Sequence, residues 1–203
     1  MWNTLSPRWR RKAKAGPGKQ AVQTTIIDLL SGSEGVQVPA LSAFAAYLDE
    51  IEGEDAVNLG SLVRSSGVIP VLVKLVADPE PLTHCTAMYA LGNLASDAVD
   101  PFSWRTKAAV REANGFAQIL SHVWNDDPET LFNALGAVQN LCSFHEYTEL
   151  MERERVDIRL QHIAMTCHDA QLTQYAIGCL RNMEAVKTNC DRVVLERFTY
   201  DWP

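Results

Sequence analysis

Apolar residues along this chain fall into recurring blocks with helical spacing. Ala87, Ala90, Leu91 and Leu94 occupy relative positions 0, 3, 4 and 7 of one block; Ala134, Ala137, Val138 and Leu141 repeat them, as do Ala176, Cys179, Leu180 and Met183. At about 100° per residue these positions form one narrow stripe on a helix, and the small residues on it permit close packing against a neighbour. All three blocks read A-x-x-[AC]-[LV]-x-N-[LM], spaced 47 residues apart and then 42. A weaker copy, Ala40, Ala43, Phe44 and Tyr47, lies another 47 residues upstream, with Ala46 where the others carry asparagine. A period of this size with variable loops is the signature of stacked repeats, whose terminal units are expected to be degenerate.

The same 47-residue offset aligns Gly67–Val73 with Asn114–Leu120, so a second helix is predicted ahead of each block. Each unit reads as a short helix, a turn carrying Gly or Asn, a second helix, a loop and a third helix. Asp78–Pro81, Asp126–Glu129 and His168–Ala170 mark the loops. Proline just after such a loop suits the first helical position, where its missing N–H has no intrahelical partner to lose. The chain is therefore predicted to be all-α, with repeats over roughly 21–50, 51–98, 99–143 and 144–185, a partial unit over 186–203, and a basic tail over 1–20. Asn189–Arg197 reads as the opening of a further unit, which predicts an unfinished stack with an apolar end, open to dimerisation or to a neighbouring unit.

The turn Gly67, Val68, Ile69, Pro70 before the second helix and the A-x-x-A-L-x-N-L third helix resemble the armadillo repeat. The resemblance covers about residues 21–203. It implies a right-handed α-α superhelix, an armadillo-type solenoid of about 3.5 to 4 repeats.

Beside the buried stripe, relative positions −1, 2 and 6 share one flank of the third helix and would form a continuous surface when units stack. That surface holds Thr86, Tyr89 and Asn93, then Asn133, Gly136 and Asn140, then Tyr175, Gly178 and Asn182. An amide offers a donor and an acceptor to an extended peptide without reading its side chains, and glycine lets a backbone approach closely. The family resemblance implies that Asn93, Asn140 and Asn182 line a concave groove in this way, with a weaker first pocket at Ala46. The alternative is structural, each asparagine satisfying backbone groups near a helix end. Nuclear-import adaptors of the same family carry tryptophan four residues before the asparagine. Here those positions are Tyr89, Gly136 and Gly178, so a nuclear-localisation-signal groove is the lesser expectation.

Composition narrows the picture further. At 203 residues, 47% apolar and 21% charged, the chain is long enough to bury a sizeable core, and it lacks an apolar run of membrane-spanning length. Five cysteines without CxxC spacing read as free thiols in a reducing compartment, so an intracellular, cytoplasmic or nuclear, protein is expected. The net charge of −7 divides into +6 over residues 1–20 and −13 over the rest, which carries 12 basic and 25 acidic residues. Arg8, Arg10, Arg11, Lys12 and Lys14 are compatible with a disordered solvated tail, a localisation signal, a presequence, a nucleic-acid contact, or a segment that folds back on its own acidic groove. Asp49–Asp55 concentrates carboxylates that could collect a metal or a basic partner, and the simpler reading is a solvated loop between repeats.

Catalytic motifs do not assemble. The stretch Ala13–Gln20 lacks the first glycine and the magnesium-binding hydroxyl of a phosphate loop, His145–Glu149 lacks the second histidine of HExxH, and no G-x-S-x-G elbow occurs. Cys142, His162, Cys167 and His168 have no zinc-site spacing. The expected function is thus non-catalytic, with no cofactor or metal: a scaffold binding an extended segment of another protein, a basic segment being one option. A structural subunit that binds through its convex face or its ends is the second expectation.

Overall fold

The computed structural model describes residues 19–199, with side chains over 20–189; the basic segment 1–18, including Arg8, Arg10, Arg11, Lys12 and Lys14, lies outside the described residues, as do 200–203. Two helices, α1 (Lys19–Leu30) and α2 (Glu34–Leu48), pair at the amino-terminal end. Three three-helix units follow. They comprise α3 (Gly53–Ser66), α4 (Val68–Val76) and α5 (Pro81–Leu94); α6 (Ser103–Glu112), α7 (Gly115–Ser121) and α8 (Pro128–Leu141); and α9 (His145–Arg153), α10 (Val156–Thr166) and α11 (Ala170–Thr199). A 3-10 turn, His122–Trp124, extends α7. The described residues contain no strand and no single helix long and apolar enough to cross a membrane.

Local chemistry explains the repeated bends. A left-handed residue separates the first and second helices of every unit: Gly67 at φ 82°, Asn114 at φ 55° and Arg155 at φ 59°. At the first of these turns α3 and α4 meet at 83°. Glycine adopts that conformation freely and asparagine tolerates it, whereas at Arg155 the Cβ meets a steric penalty of roughly 1–2 kcal/mol. Pro81 and Pro128 open α5 and α8, and the Asp127 carboxylate caps α8 by accepting the Thr130 N–H at 2.8 Å.

Packing follows the predicted stripe. Ala87, Ala90, Leu91, Ala134, Ala137, Val138, Leu141, Ala176 and Cys179 are at most 1% exposed, while Leu180 is only partly buried, and they merge with Ile69, Leu72, Val76, Phe116 and Ile119 of the second helices into one continuous core. The third helices α5, α8 and α11 lie side by side, with α2 continuing the row. Each helix thus buries its apolar face only by meeting its neighbours, as stacked repeats require.

Polar links close the junctions. Arg64 pairs with Asp100 at 2.6 Å and reaches the Thr106 hydroxyl at 3.1 Å, while a Cβ at Gly60 would collide with Asp100. At another junction the His84 and His122 rings lie 4.6 Å apart. His84 Nδ1 and His122 Nε2 donate to the carbonyls of Asp78 and Val76 at 2.9 and 2.8 Å, near the end of α4 where carbonyls lack intrahelical donors.

The partial unit expected over 186–203 is not seen as a separate element. Residues 186–199 instead continue α11, which runs unbroken for 30 residues. No glycine or proline lies between Cys179 and Thr199 to stop it, and Glu184, Ala185 and Lys187 favour helix.

Candidate binding groove

The row of third helices leaves a cavity of about 380 Å³ on one side. Tyr89, Gly92 and Asn93 of α5 form one wall, Phe132, Asn133, Gly136 and Asn140 of α8 the floor, and Tyr175 of α11 the far side. Asp49, Ile51 and Glu52, between α2 and α3, close one end. Among the described residues, no lysine, arginine or histidine contributes to the lining.

Six of the nine residues expected on this surface therefore meet in one cavity: Tyr89, Asn93, Asn133, Gly136, Asn140 and Tyr175. Thr86, Gly178 and Asn182 do not line it. Thr86 is 2% exposed, and its hydroxyl donates to the Leu82 carbonyl at 2.6 Å, so the flank of the stripe curves into the core at that point. Gly178 was expected to admit a ligand backbone, but the Gln139 side chain covers it: a Cβ there would lie 2.5 Å from Gln139 Cδ.

The asparagines are built into the stack. Asn140 Nδ2 donates to the Gly92 carbonyl at 2.8 Å, and Asn182 Nδ2 donates to the Gln139 carbonyl at 2.7 Å. Both acceptors belong to the last turn of the preceding third helix, where carbonyls are left without intrahelical donors. Backbone N–H groups do not compete for them, because Ser96 donates to Asn93 and Ser143 to Leu141. Each of these two asparagines thus caps the helix of the previous repeat. Asn93 and Asn133 turn inward to their own helices, donating to Tyr89 and Glu129 carbonyls at 2.9 and 2.8 Å. With these nitrogens tied back, the cavity wall is rich in acceptors.

Sequence reasoning missed Asp49, Glu52 and Phe132. Within the acidic run, expected as a loop, Glu52 is exposed ahead of α3 and Glu54 and Asp55 are exposed in the first turn of that helix, but Asp49 is half-buried and accepts the Tyr89 hydroxyl. Burial pushes the Asp49 carboxyl above its ordinary range, and the Tyr89 hydrogen bond opposes that shift. Burial, then the bond and charge of Asp49, push the Tyr89 phenol far up, so it stays a donor at neutral pH. Asp49 lies two residues past the weak first block, and that position is the one signal that could have placed it at the end of the groove. Phe132 lies one position outside the flank inferred from helical angles; its ring packs 4.9 Å from that of Tyr175.

No group of three or more His, Cys, Asp or Glu suited to a metal occurs among the described residues. Burial raises the thiols of Cys85 and Cys179 and pushes Cys142 up to about 11, so these three remain neutral at pH 7.

The sequence matches the family description Armadillo/beta-catenin-like repeat over residues 61–96. No curated protein matches it significantly in sequence. Among solved structures, a designed armadillo repeat protein superposes with a TM-score of 0.63 at 18% identity, covering 80% of this chain and 64% of that one. A second designed armadillo repeat protein, in complex with peptide (KR)4, gives a TM-score of 0.60 at 18% identity over 81% of this chain and 64% of that one. A chain from work on the phosphorylation-controlled interaction between cadherin and beta-catenin gives 0.67 at 17% identity, covering 87% of this chain and 32% of that one. This chain thus spans under two thirds of the length of each. The matched repeat and the shared architecture show the fold of an armadillo-type α solenoid.

Proposed function

We propose that this chain is a non-catalytic protein-binding scaffold that holds an extended segment of a partner protein along the row of third helices. The observation that carries this reading is the cavity itself, in which aromatic rings from three successive third helices meet amide acceptors from two of them. An extended segment presents a backbone N–H and C=O at every residue, which suits an acceptor-rich wall and the unused Oδ1 and N–H of Asn140. Asp49 and Glu52, with no cation beside them in the lining among the described residues, favour a basic segment. The (KR)4 complex of a designed solenoid is a precedent for such an occupant in this architecture.

A second reading has its own observation: Trp104 and Trp124 are 58% and 50% exposed outside the cavity, surfaces through which a subunit of a larger assembly could bind. Photo-crosslinking separates the two. A peptide selected from a random library should crosslink to a photoreactive residue at Glu52 and not to one at Trp104. The reverse pattern would move binding to the other surface.

A further inference from the structure

A second cavity, of about 590 Å³, is lined by first and second helices rather than by the third. Pro70 and Val73 of α4, with Ala77 at its end, form one wall, Ala109 and Ala113 of α6 the other, and Gln118 of α7 the base. Lys74 and Glu112 are exposed on the α4 and α6 sides. A space of this size walled by small and apolar residues suits a side chain supplied from outside.

The next junction shows which side chain. The repeat offset that relates Gly67–Val73 to Asn114–Leu120 carries Val76 onto Val123, both fully buried, and Ala77 onto Trp124. Gln118 corresponds in the same way to Arg159: each follows the left-handed residue of its unit, Asn114 or Arg155, and each precedes a fully buried residue, Ile119 or Leu160. Trp124 and Arg159 meet, with the guanidinium 5.9 Å over the indole ring and its Nε donating to the Val123 carbonyl at 3.5 Å. One junction is therefore covered by the protein's own indole and cation. At the other, the equivalent residues are Ala77 and the uncharged Gln118, and the space between them is open.

A cation for a visiting ring is already in place. Lys74 makes no ion pair among the described residues, whereas the Arg64 guanidinium in the same lining is held by Asp100. The face of an indole carries the negative part of its quadrupole, so it complements the Lys74 ammonium as Trp124 complements Arg159.

We propose that this outer groove between α4 and α6 receives a tryptophan side chain of a partner protein, its indole over Ala77 in the place that Trp124 takes at the next junction and its face against Lys74. The site is separate from the cavity between the third helices, so either can fail without the other.

The test titrates the isotope-labelled full chain, followed by NMR, with short blocked Ala/Ser peptides that differ only in a central tryptophan, leucine or alanine. The tryptophan peptide should shift the Val73, Ala77 and Ala109 methyl signals saturably. It should bind about tenfold or more tightly than the alanine peptide, with leucine between them. Ala77→Trp combined with Gln118→Arg installs the cover of the next junction, and should abolish those shifts while circular dichroism stays helical. Lys74→Gln, at an exposed position that leaves the core intact, should weaken tryptophan binding about two- to fivefold and leave leucine binding unchanged.

Equal affinity for tryptophan and leucine peptides would overturn the proposal, as would the absence of any saturable shift. Shifts confined to Tyr89, Gly136 and Tyr175 would place the peptide between the third helices and overturn it too. Trp2, Trp9 and Trp202 of this chain lie outside the described residues, and a variant with all three replaced by alanine supplies the last control. Unchanged peptide affinity in that variant would uphold a partner's tryptophan as the occupant. Tighter binding would mean that one of the chain's own tryptophans competes for the groove, and would overturn the assignment to a partner.

Discussion

The two junctions between successive third helices solve the same packing problem in opposite ways. Where α5 meets α8, Gly92 brings the backbones together, and a Cβ on it would lie 3.0 Å from Ala137 Cα. Where α8 meets α11, the equivalent repeat position is Gln139, whose side chain fills the space in front of Gly178. The first junction therefore closes on backbone contact and leaves its rim open as the Tyr89–Phe132–Tyr175 cavity. The second has its rim filled by protein. One repeat motif thus yields an open pocket or a plugged one according to a position that the motif leaves unspecified.

Gly92→Leu should produce the largest effect. Its side chain has backbone in front of it rather than a movable group, so the helices must separate or α5 must shift. Overpacking of this kind costs about 3 kcal/mol at the upper end of the usual range, and thermal unfolding should fall by roughly 6–12 °C. An unchanged Tm would mean that α5 and α8 are not in backbone contact.

Asn140→Ala should follow. It removes the donor to the buried Gly92 carbonyl, which the Ser96 N–H does not serve, and an orphaned group of this kind costs about 1–3 kcal/mol. Asn182→Ala should cost a similar amount at the second junction through Gln139, whereas Asn93→Ala, whose amide bonds within its own helix, should cost under about 1 kcal/mol. Chemical denaturation of the three variants checks the order. A larger loss for Asn93→Ala would remove the capping role from the asparagine ladder. Because Asn140 and Asn182 hold the stack together, lost binding in their alanine variants would not by itself locate a ligand.

Much of this arrangement was legible in the sequence, and the gaps have physical causes. The stripe of Ala87, Ala90, Leu91 and Leu94 and its copies records burial, the strongest constraint on a helix, and the loop prolines record where helices start. Six residues of the predicted flank meet in the cavity because helical geometry fixes their direction. Thr86 escaped because a flank has a buried edge as well as an exposed one. The capping of one repeat by the asparagine of the next is a relation between helices, which no single helical wheel contains. Gln139 over Gly178 is of the same kind, since both residues look unremarkable in their own helices. Asp49 was hidden inside an acidic run in which Glu52, Glu54 and Asp55 are exposed.

Acidification should act on the first junction before the second. His122 sits there with its ring against His84, and burial holds its imidazole below the ordinary value of 6.5, opposed by its bond to the Val76 carbonyl and reinforced by His84. The unfolded chain then takes up this proton more readily than the folded one. The contribution of His122 is complete above 6.5 and is lost as pH falls from there through the lower folded value. His84, Asp78, Lys74, Cys85, Asp127, Glu129 and Arg159 are among the charged or titratable groups around this joint, so the comparison with His122→Asn, not the raw profile, isolates the effect. Stability measured from about pH 7.5 to about pH 5 should fall less steeply in the variant. Parallel profiles would show that His122 titrates as it does in the unfolded chain.

The smallest expected effect is the sharpest test of the contrast between junctions. Gly178→Ala introduces a Cβ 2.5–2.7 Å from Gln139 Cδ, Oε1 and Nε2, but these atoms end a flexible side chain that can swing away. Gln139 Oε1 has no hydrogen-bond partner among the described residues, so none of them holds it there. Alanine also gains about 1 kcal/mol over glycine within a helix, which should leave Gly178→Ala neutral or up to about 1 kcal/mol more stable. The same substitution at Gly92 gains the same propensity but meets Ala137 Cα and N, neither of which can rotate out of the way. A difference in stability between the two alanine variants, with Gly178→Ala the higher, would establish that one junction is closed by backbone and the other by a movable side chain. Equal stabilities would mean that the two interfaces are equally compliant, and that the open pocket owes nothing to the close approach at Gly92.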